Sequence, residues 1–117
     1  MLKIMIVEDE DDVRNTYVRF LLRKGYDAKG AGDGLSAIKL FEEYRPDMVF
    51  IDFFIPELRG DKVLFAIRKI DPKVKVFFVT GSRAKIEELQ EKKVPANGFI
   101  LKPLWFDEFQ KIIEENK

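Results

Sequence analysis

Apolar residues come in five short runs, separated by longer stretches in which they recur at three- and four-residue intervals. Short apolar runs bounded by turn-forming residues read as buried strands, and the longer intervals read as amphipathic helices. The predicted strands are Lys3 to Val7, Tyr26 to Gly30, Met48 to Asp52, Val74 to Val79 and Gly98 to Leu101. Each gap between them is long enough for a crossover helix, so the strands pair in parallel and the fold is α/β. No internal repeat, low-complexity tract or linker divides the 117 residues, which suit one domain spanning 1–117 with one core.

The first helix is expected to begin near Glu10 to Asp12, where acidic residues favour the positive end of the helix dipole, and to stop at Lys24-Gly25. Its core face reads as Val13, Thr16, Tyr17, Phe20 and Leu21. Val18 and Leu22 fall off that face and form, with Asp11, Arg14 and Asn15, a second stripe: a docking surface or scattered exposed residues. Further helices fit Leu35 to Tyr44, Lys62 to Ile70, Arg83 to Lys92 and Phe106 to Asn116. Pro46, Pro72 and Pro95 lie just beyond the ends of three of them.

Charge narrows the function classes. Lys and Arg number 21, as do Asp and Glu, so net charge gives no case for nucleic acid or an anionic membrane as partner. The chain has no cysteine and no histidine, which removes disulfides, thiolate or imidazole metal sites, histidine bases and a phosphohistidine of its own. Chemistry must come from carboxylates, hydroxyls and lysines. The apolar amino terminus stops at Glu8, far short of a signal peptide or membrane span, so a cytoplasmic protein is expected.

The central run Met48-Val49-Phe50-Ile51 leads straight into Asp52 and leaves through Pro56 and Gly60. Alone, it fits a carboxylate in a ligand crevice and a capping aspartate equally well. Other strands end in Glu8-Asp9, Thr80-Gly81-Ser82 and Lys102-Pro103. Parallel strands bring all their carboxyl ends to one edge, so Asp9, Asp52, Thr80 and Lys102 converge if the sheet places those strands together. Three carboxylates in one crevice need a hard cation or a lysine to neutralise them, and Mg²⁺ suits oxygen ligands that also meet phosphate. Lys102 supplies a positive charge, Thr80 a hydroxyl and Asp52 a carboxylate nucleophile, which is equipment for phosphoryl transfer.

In this order, Val7-Glu8-Asp9-Glu10, Asp52 through Pro56 to Gly60, Val79-Thr80-Gly81 and Gly98-Phe99-Ile100-Leu101-Lys102-Pro103 strongly resemble the response-regulator receiver domain of two-component signalling. The resemblance implies a three-layer αβα sandwich, flavodoxin-like and doubly wound, with a five-stranded parallel sheet in order 2-1-3-4-5. It implies that Asp52 accepts a phosphoryl group, with Mg²⁺, from a sensor histidine kinase or histidine phosphotransfer protein. Asp9 and Asp52 would ligate the metal, with the Phe54 backbone carbonyl, and Glu8 through water. Lys102 would pair with Asp52 and then with the phosphoryl group, its bond to Pro103 being cis. Thr80 and Phe99 would be the switch that reshapes the face of helix four, strand five and helix five for a downstream protein target. Such a domain works as a monomer or a phosphorylation-dependent dimer, and its only catalysis is self-phosphorylation and self-dephosphorylation.

Two residues depart from the commonest pattern of that family. Phe54 sets an apolar side chain beside the acceptor, where it changes the water supply for hydrolysis. Trp105, the only tryptophan, stands where a small polar residue often caps the last helix, and it either packs locally or anchors a partner. Other classes fit less well. A haloacid-dehalogenase-like phosphohydrolase wants Asp-x-Asp after its first strand, and a flavodoxin's phosphate loop would be repelled by Glu8 to Asp12. The main rival is a pseudo-receiver that binds partners without phosphorylation.

Overall fold

The computed structural model describes residues 1–117. Five strands alternate with five helices: β1 Lys3–Val7, α1 Asp11–Arg23, β2 Asp27–Ala31, α2 Gly34–Tyr44, β3 Met48–Asp52, α3 Gly60–Ile70, β4 Lys75–Thr80, α4 Arg83–Glu91, β5 Gly98–Leu101 and α5 Phe106–Asn116. All strand pairs are parallel, in the order β2-β1-β3-β4-β5, as expected of the doubly wound fold. β3 lies at the centre and all five of its residues are buried, which is why its sequence is a continuous apolar run and not an alternating one.

Two cores flank the sheet. Ala37, Phe41, Val63, Leu64, Ile67 and Leu89 bring α2, α3 and α4 onto one face. Leu21, Phe109 and Ile113 bring α1 and α5 onto the other, where Phe109 meets Phe50 edge-on at 4.8 Å. The result is the three-layer αβα sandwich.

Element ends differ from expectation by a residue or two, each for a local reason. Tyr26 is outside β2 because its N–H closes the end of α1 on the Leu21 carbonyl. Val74 is outside β4 because its carbonyl is taken by the Arg68 guanidinium. β4 instead runs on to Thr80, whose carbonyl accepts from Lys102 N–H at 2.8 Å. α3 starts two residues early, at Gly60, where a Cβ would come within 3.0 Å of both Phe53 Cα and Phe78.

The face expected for α1 needs a correction. Thr16 is exposed and its hydroxyl donates back to the Asp12 carbonyl at 2.7 Å, whereas Val18 packs against the core. The helix is turned toward α5, where Tyr17 meets Phe109 edge-on at 5.3 Å and Phe20 stacks on Phe106 at 4.4 Å. Leu22 is exposed, off the core face as expected. Arg14 is not part of a free outer stripe: its side chain is only 18% exposed.

Candidate functional site

Parallel pairing and the central positions of β1, β3 and β4 carry Glu8, Asp52 and Thr80 to the same edge of the sheet. β1 pairs with β3 through Val7 and Ile51, so Glu8 and Asp52 emerge as neighbours. Asp52 sits opposite Val79, and Thr80 opposite Leu101, which brings Lys102 in from the far side. One carboxylate oxygen from each of Glu8, Asp9 and Asp52 lies within 4.8 Å of the others.

Lys102 offsets part of the cluster's charge directly. Its Nζ donates to Asp52 Oδ2 at 2.7 Å and to Glu8 Oε1 at 3.2 Å. The other Asp52 oxygen, Oδ1, accepts from the Phe54 N–H at 3.1 Å, and Glu8 Oε2 accepts from Glu10 N–H at 3.2 Å. Asp52 and Glu8 are buried while Asp9 is exposed, so the cluster grades from the protein interior to solvent. The Lys102-Pro103 peptide bond is cis.

Burial pushes the Glu8 carboxyl above its ordinary range, only partly opposed by the Glu10 N–H and by Lys102. It lines one end of a pocket of about 410 Å³ whose walls are largely apolar, including Phe50, Leu104 and Phe109. For Lys102, burial acts to lower the pKa, but the bonds and charges of Asp52 and Glu8 outweigh it and leave the ammonium group harder to deprotonate. The Lys102 ammonium group is therefore charged at neutral pH. Three hard oxygen donors of graded exposure with one lysine to offset them fit a divalent cation of the Mg²⁺ kind.

Thr80 is fully buried, and its hydroxyl accepts from Ser82 N–H at 3.2 Å, not from a group of the acidic cluster. Ser82 in turn caps α4 by accepting from Lys85 N–H. Phe99 is half-buried and stacks on Phe78 at 6.0 Å. Phe54 is 54% exposed and stands edge-on to buried Phe53 at 5.0 Å. Trp105 is 65% exposed and occupies the N-cap of α5 with no side-chain cap bond.

The contacts of two residues escape the sequence reading, which puts Arg14 on an outer stripe of α1. Arg14 donates from Nη1 to the Glu8 carbonyl at 2.8 Å, and Lys85 lies 4.9 Å over the Phe53 ring. Neither side chain leaves a sequence signal, since a charged residue on an amphipathic helix usually faces water.

The sequence model of the response regulator receiver domain matches residues 4–114. The chain belongs to the response-regulator receiver domain family. This receiver domain is 29% identical over 102 residues to chemotaxis protein CheY of Thermotoga maritima, covering 86% of this chain and 85% of that one. It is 29% identical over 114 residues to sporulation initiation phosphotransferase F of Bacillus subtilis, covering 97% and 91%. Against sensor kinase CckA of Brucella abortus it is 33% identical over 117 residues, 96% of this chain but only 12% of the kinase. Against regulatory protein AtoC of Escherichia coli the receiver domain spans 24% of the relative. Among solved structures, response regulator TrrA of Thermotoga maritima in complex with Mg(2+)-BeF superposes with TM-score 0.89 at 26% identity, over 100% of both chains.

Proposed function

We propose that residues 1–117 act as a phosphoacceptor signalling module: Asp52 takes a phosphoryl group from a phosphohistidine on a sensor kinase or phosphotransfer protein. The observation that carries this reading is the approach of Lys102 Nζ to Asp52 Oδ2 at 2.7 Å within a cluster completed by Glu8 and Asp9. Four residues from three separate turns of the chain have no structural need to meet, and the concentration of acid is costly without a charged ligand.

In transfer, an Asp52 oxygen forms the new O–P bond as the P–N bond of the donor breaks, its electron pair leaving on the imidazole nitrogen. Asp52 Oδ1 is oriented by the Phe54 N–H and Oδ2 by Lys102, so the carboxylate is aimed before the donor arrives. Lys102 then holds negative charge on the phosphoryl oxygens. Asp9, Asp52 and the Phe54 carbonyl would hold Mg²⁺, with Glu8 acting through water, and the ion would supply neutralisation of the phosphoryl charge. The domain needs no further enzyme activity than this self-phosphorylation and self-dephosphorylation, in which water takes the phosphoryl group from Asp52 and phosphate leaves.

Phosphorylation adds close to two negative charges and three acceptor oxygens. Thr80, the last residue of β4, and half-buried Phe99 are the residues through which the α4-β5-α5 face responds and offers itself to a downstream protein. The rival reading is a pseudo-receiver that binds its partner without phosphate.

The test is intact mass after incubation with acetyl phosphate, with and without Mg²⁺, on the wild-type chain and Asp52→Ala. A Mg²⁺-dependent gain of one phosphoryl group, about 80 Da, that vanishes in Asp52→Ala supports the acceptor reading. No gain, where an active receiver gains under the same conditions, leaves the pseudo-receiver.

A further inference from the structure

The carboxyl end of β1 is held by an arginine outside the acidic cluster. Arg14, one turn into α1, folds back so that Nη1 donates to the Glu8 carbonyl at 2.8 Å and Nη2 bonds Asp11 Oδ1 at 2.6 Å. Its stem does not run out to solvent but crosses the end of β2. A Cβ built on Gly30 would lie 2.8 Å from Arg14 Cγ and 2.9 Å from Cδ, and one on Gly32 would lie 2.9 Å from Nη1. Neither glycine has a positive φ, so no backbone conformation demands glycine at these places. What they share is the Arg14 side chain.

We infer that Arg14 is a positioning residue for the metal and phosphoryl site, seated in a channel kept open by Gly30 and Gly32. The inference rests on the receiver reading above and adds to it the device that sets the acidic turn. Glu8 and Asp9 leave β1 on a turn of three residues before α1, and the Glu8 side chain accepts from Glu10 N–H within that turn. Tying the Glu8 carbonyl to α1 fixes the peptide plane between Glu8 and Asp9, hence the direction in which both carboxylates leave the backbone. The guanidinium suits the task because its fork bridges the strand end and the first turn of the helix at once. Its charge also offsets Asp11, an acid in the same turn that takes no part in the cluster.

The inference makes β2, at the edge of the sheet, a determinant of metal affinity although none of its residues belongs to the cluster. A methyl group on Gly30 must push the Arg14 stem aside and so loosen the turn from a distance. Gly32 meets only the far end of a flexible side chain, and its substitution acts more weakly.

The experiment is a MgCl₂ titration of the full chain followed by amide NMR, on wild type, Arg14→Ala, Gly30→Ala, Gly32→Ala and the Arg14→Ala/Gly30→Ala pair, with hydrogen exchange of Glu10 N–H in the metal-free chains and Tm for each. Arg14→Ala is expected to weaken Mg²⁺ binding about tenfold, the scale of losing a residue that orients a ligand. Gly30→Ala is expected to weaken it in the same direction and to add little once Arg14 is gone, because both act through one contact. Glu10 N–H should exchange faster in both. Wild-type affinity and wild-type Glu10 exchange in Arg14→Ala would overturn the inference, as would a Gly30→Ala effect that is undiminished in the double variant. A wild-type chain that fails to bind Mg²⁺ would instead count against the receiver reading, and Glu10 exchange would still decide whether Arg14 holds the turn.

Discussion

Lys102 and Asp52, fifty positions apart in the chain, meet at 2.7 Å across the edge of the sheet. The contact sets a cation against a buried carboxylate, where a phosphoryl group accepted by Asp52, as proposed, would need one. Removing the lysine leaves Asp52 and Glu8 facing each other. Lys102→Ala should lower metal-free stability by about 1–2 kcal/mol, less than for a fully buried pair because Lys102 is 35% exposed. Saturating Mg²⁺ should restore much of it, since binding to the folded state alone stabilises by mass action. Urea unfolding with and without MgCl₂ checks both; a loss that Mg²⁺ leaves untouched would mean the metal does not enter the cluster.

Glu8 gives the pH dependence its sign. Burial holds its folded pKa above the unfolded value, so the ionised side chain costs stability at neutral pH. That cost disappears as pH falls through the raised folded pKa toward the unfolded one. Mg²⁺ needs the ionised carboxylate, so affinity falls over the same range, at higher pH than an ordinary glutamate would require. Glu8→Gln should therefore stabilise the metal-free chain at neutral pH and weaken Mg²⁺ binding there. Metal-free Glu8→Gln less stable than wild type at neutral pH would show that the Lys102 contact outweighs burial.

Phe54 stands half-exposed against Phe53, two residues after Asp52 at the end of β3. A polar residue there would hydrogen-bond and orient water at the acyl phosphate, which an aromatic ring does not. Phe54→Asn is expected to shorten the lifetime of phosphorylated Asp52 several-fold, about 1 kcal/mol in barrier. Loss of the added phosphoryl mass with time measures it, and equal rates end the idea.

Trp105 has the extended backbone of an N-cap, φ −77 and ψ 151, but no side-chain oxygen to offer the first turn of α5. It lines an apolar groove with Val13, Tyr17 and Phe106 instead. Trp105→Asp should raise stability by about 1 kcal/mol, a few degrees in Tm, by capping the helix. If the exposed indole anchors a partner, the same variant should bind that partner more weakly. Unchanged partner affinity in this variant would remove Trp105 from the interface.

Much of this protein follows from sequence because β3 is buried on both faces. A strand with no solvent side must be apolar throughout, so Met48 to Ile51 announced the sheet centre and Asp52 stood out at its end. Alternation of strands with helix-length gaps forces parallel pairing, and parallel pairing alone sends Glu8, Asp52, Thr80 and Lys102 to one edge. Periodicity does not carry the side-chain directions that finish the site. Thr16 and Val18 exchanged places because α1 rotates to pack its aromatic residues against Phe106 and Phe109, contacts between residues about ninety positions apart. The inward fold of Arg14 required glycines on a different element, and the Thr80 hydroxyl took its partner from the loop that follows β4. Local patterning determines which elements form and which ends they share; only packing in three dimensions decides which way a long side chain turns once it arrives, because that choice depends on neighbours the chain brings from elsewhere.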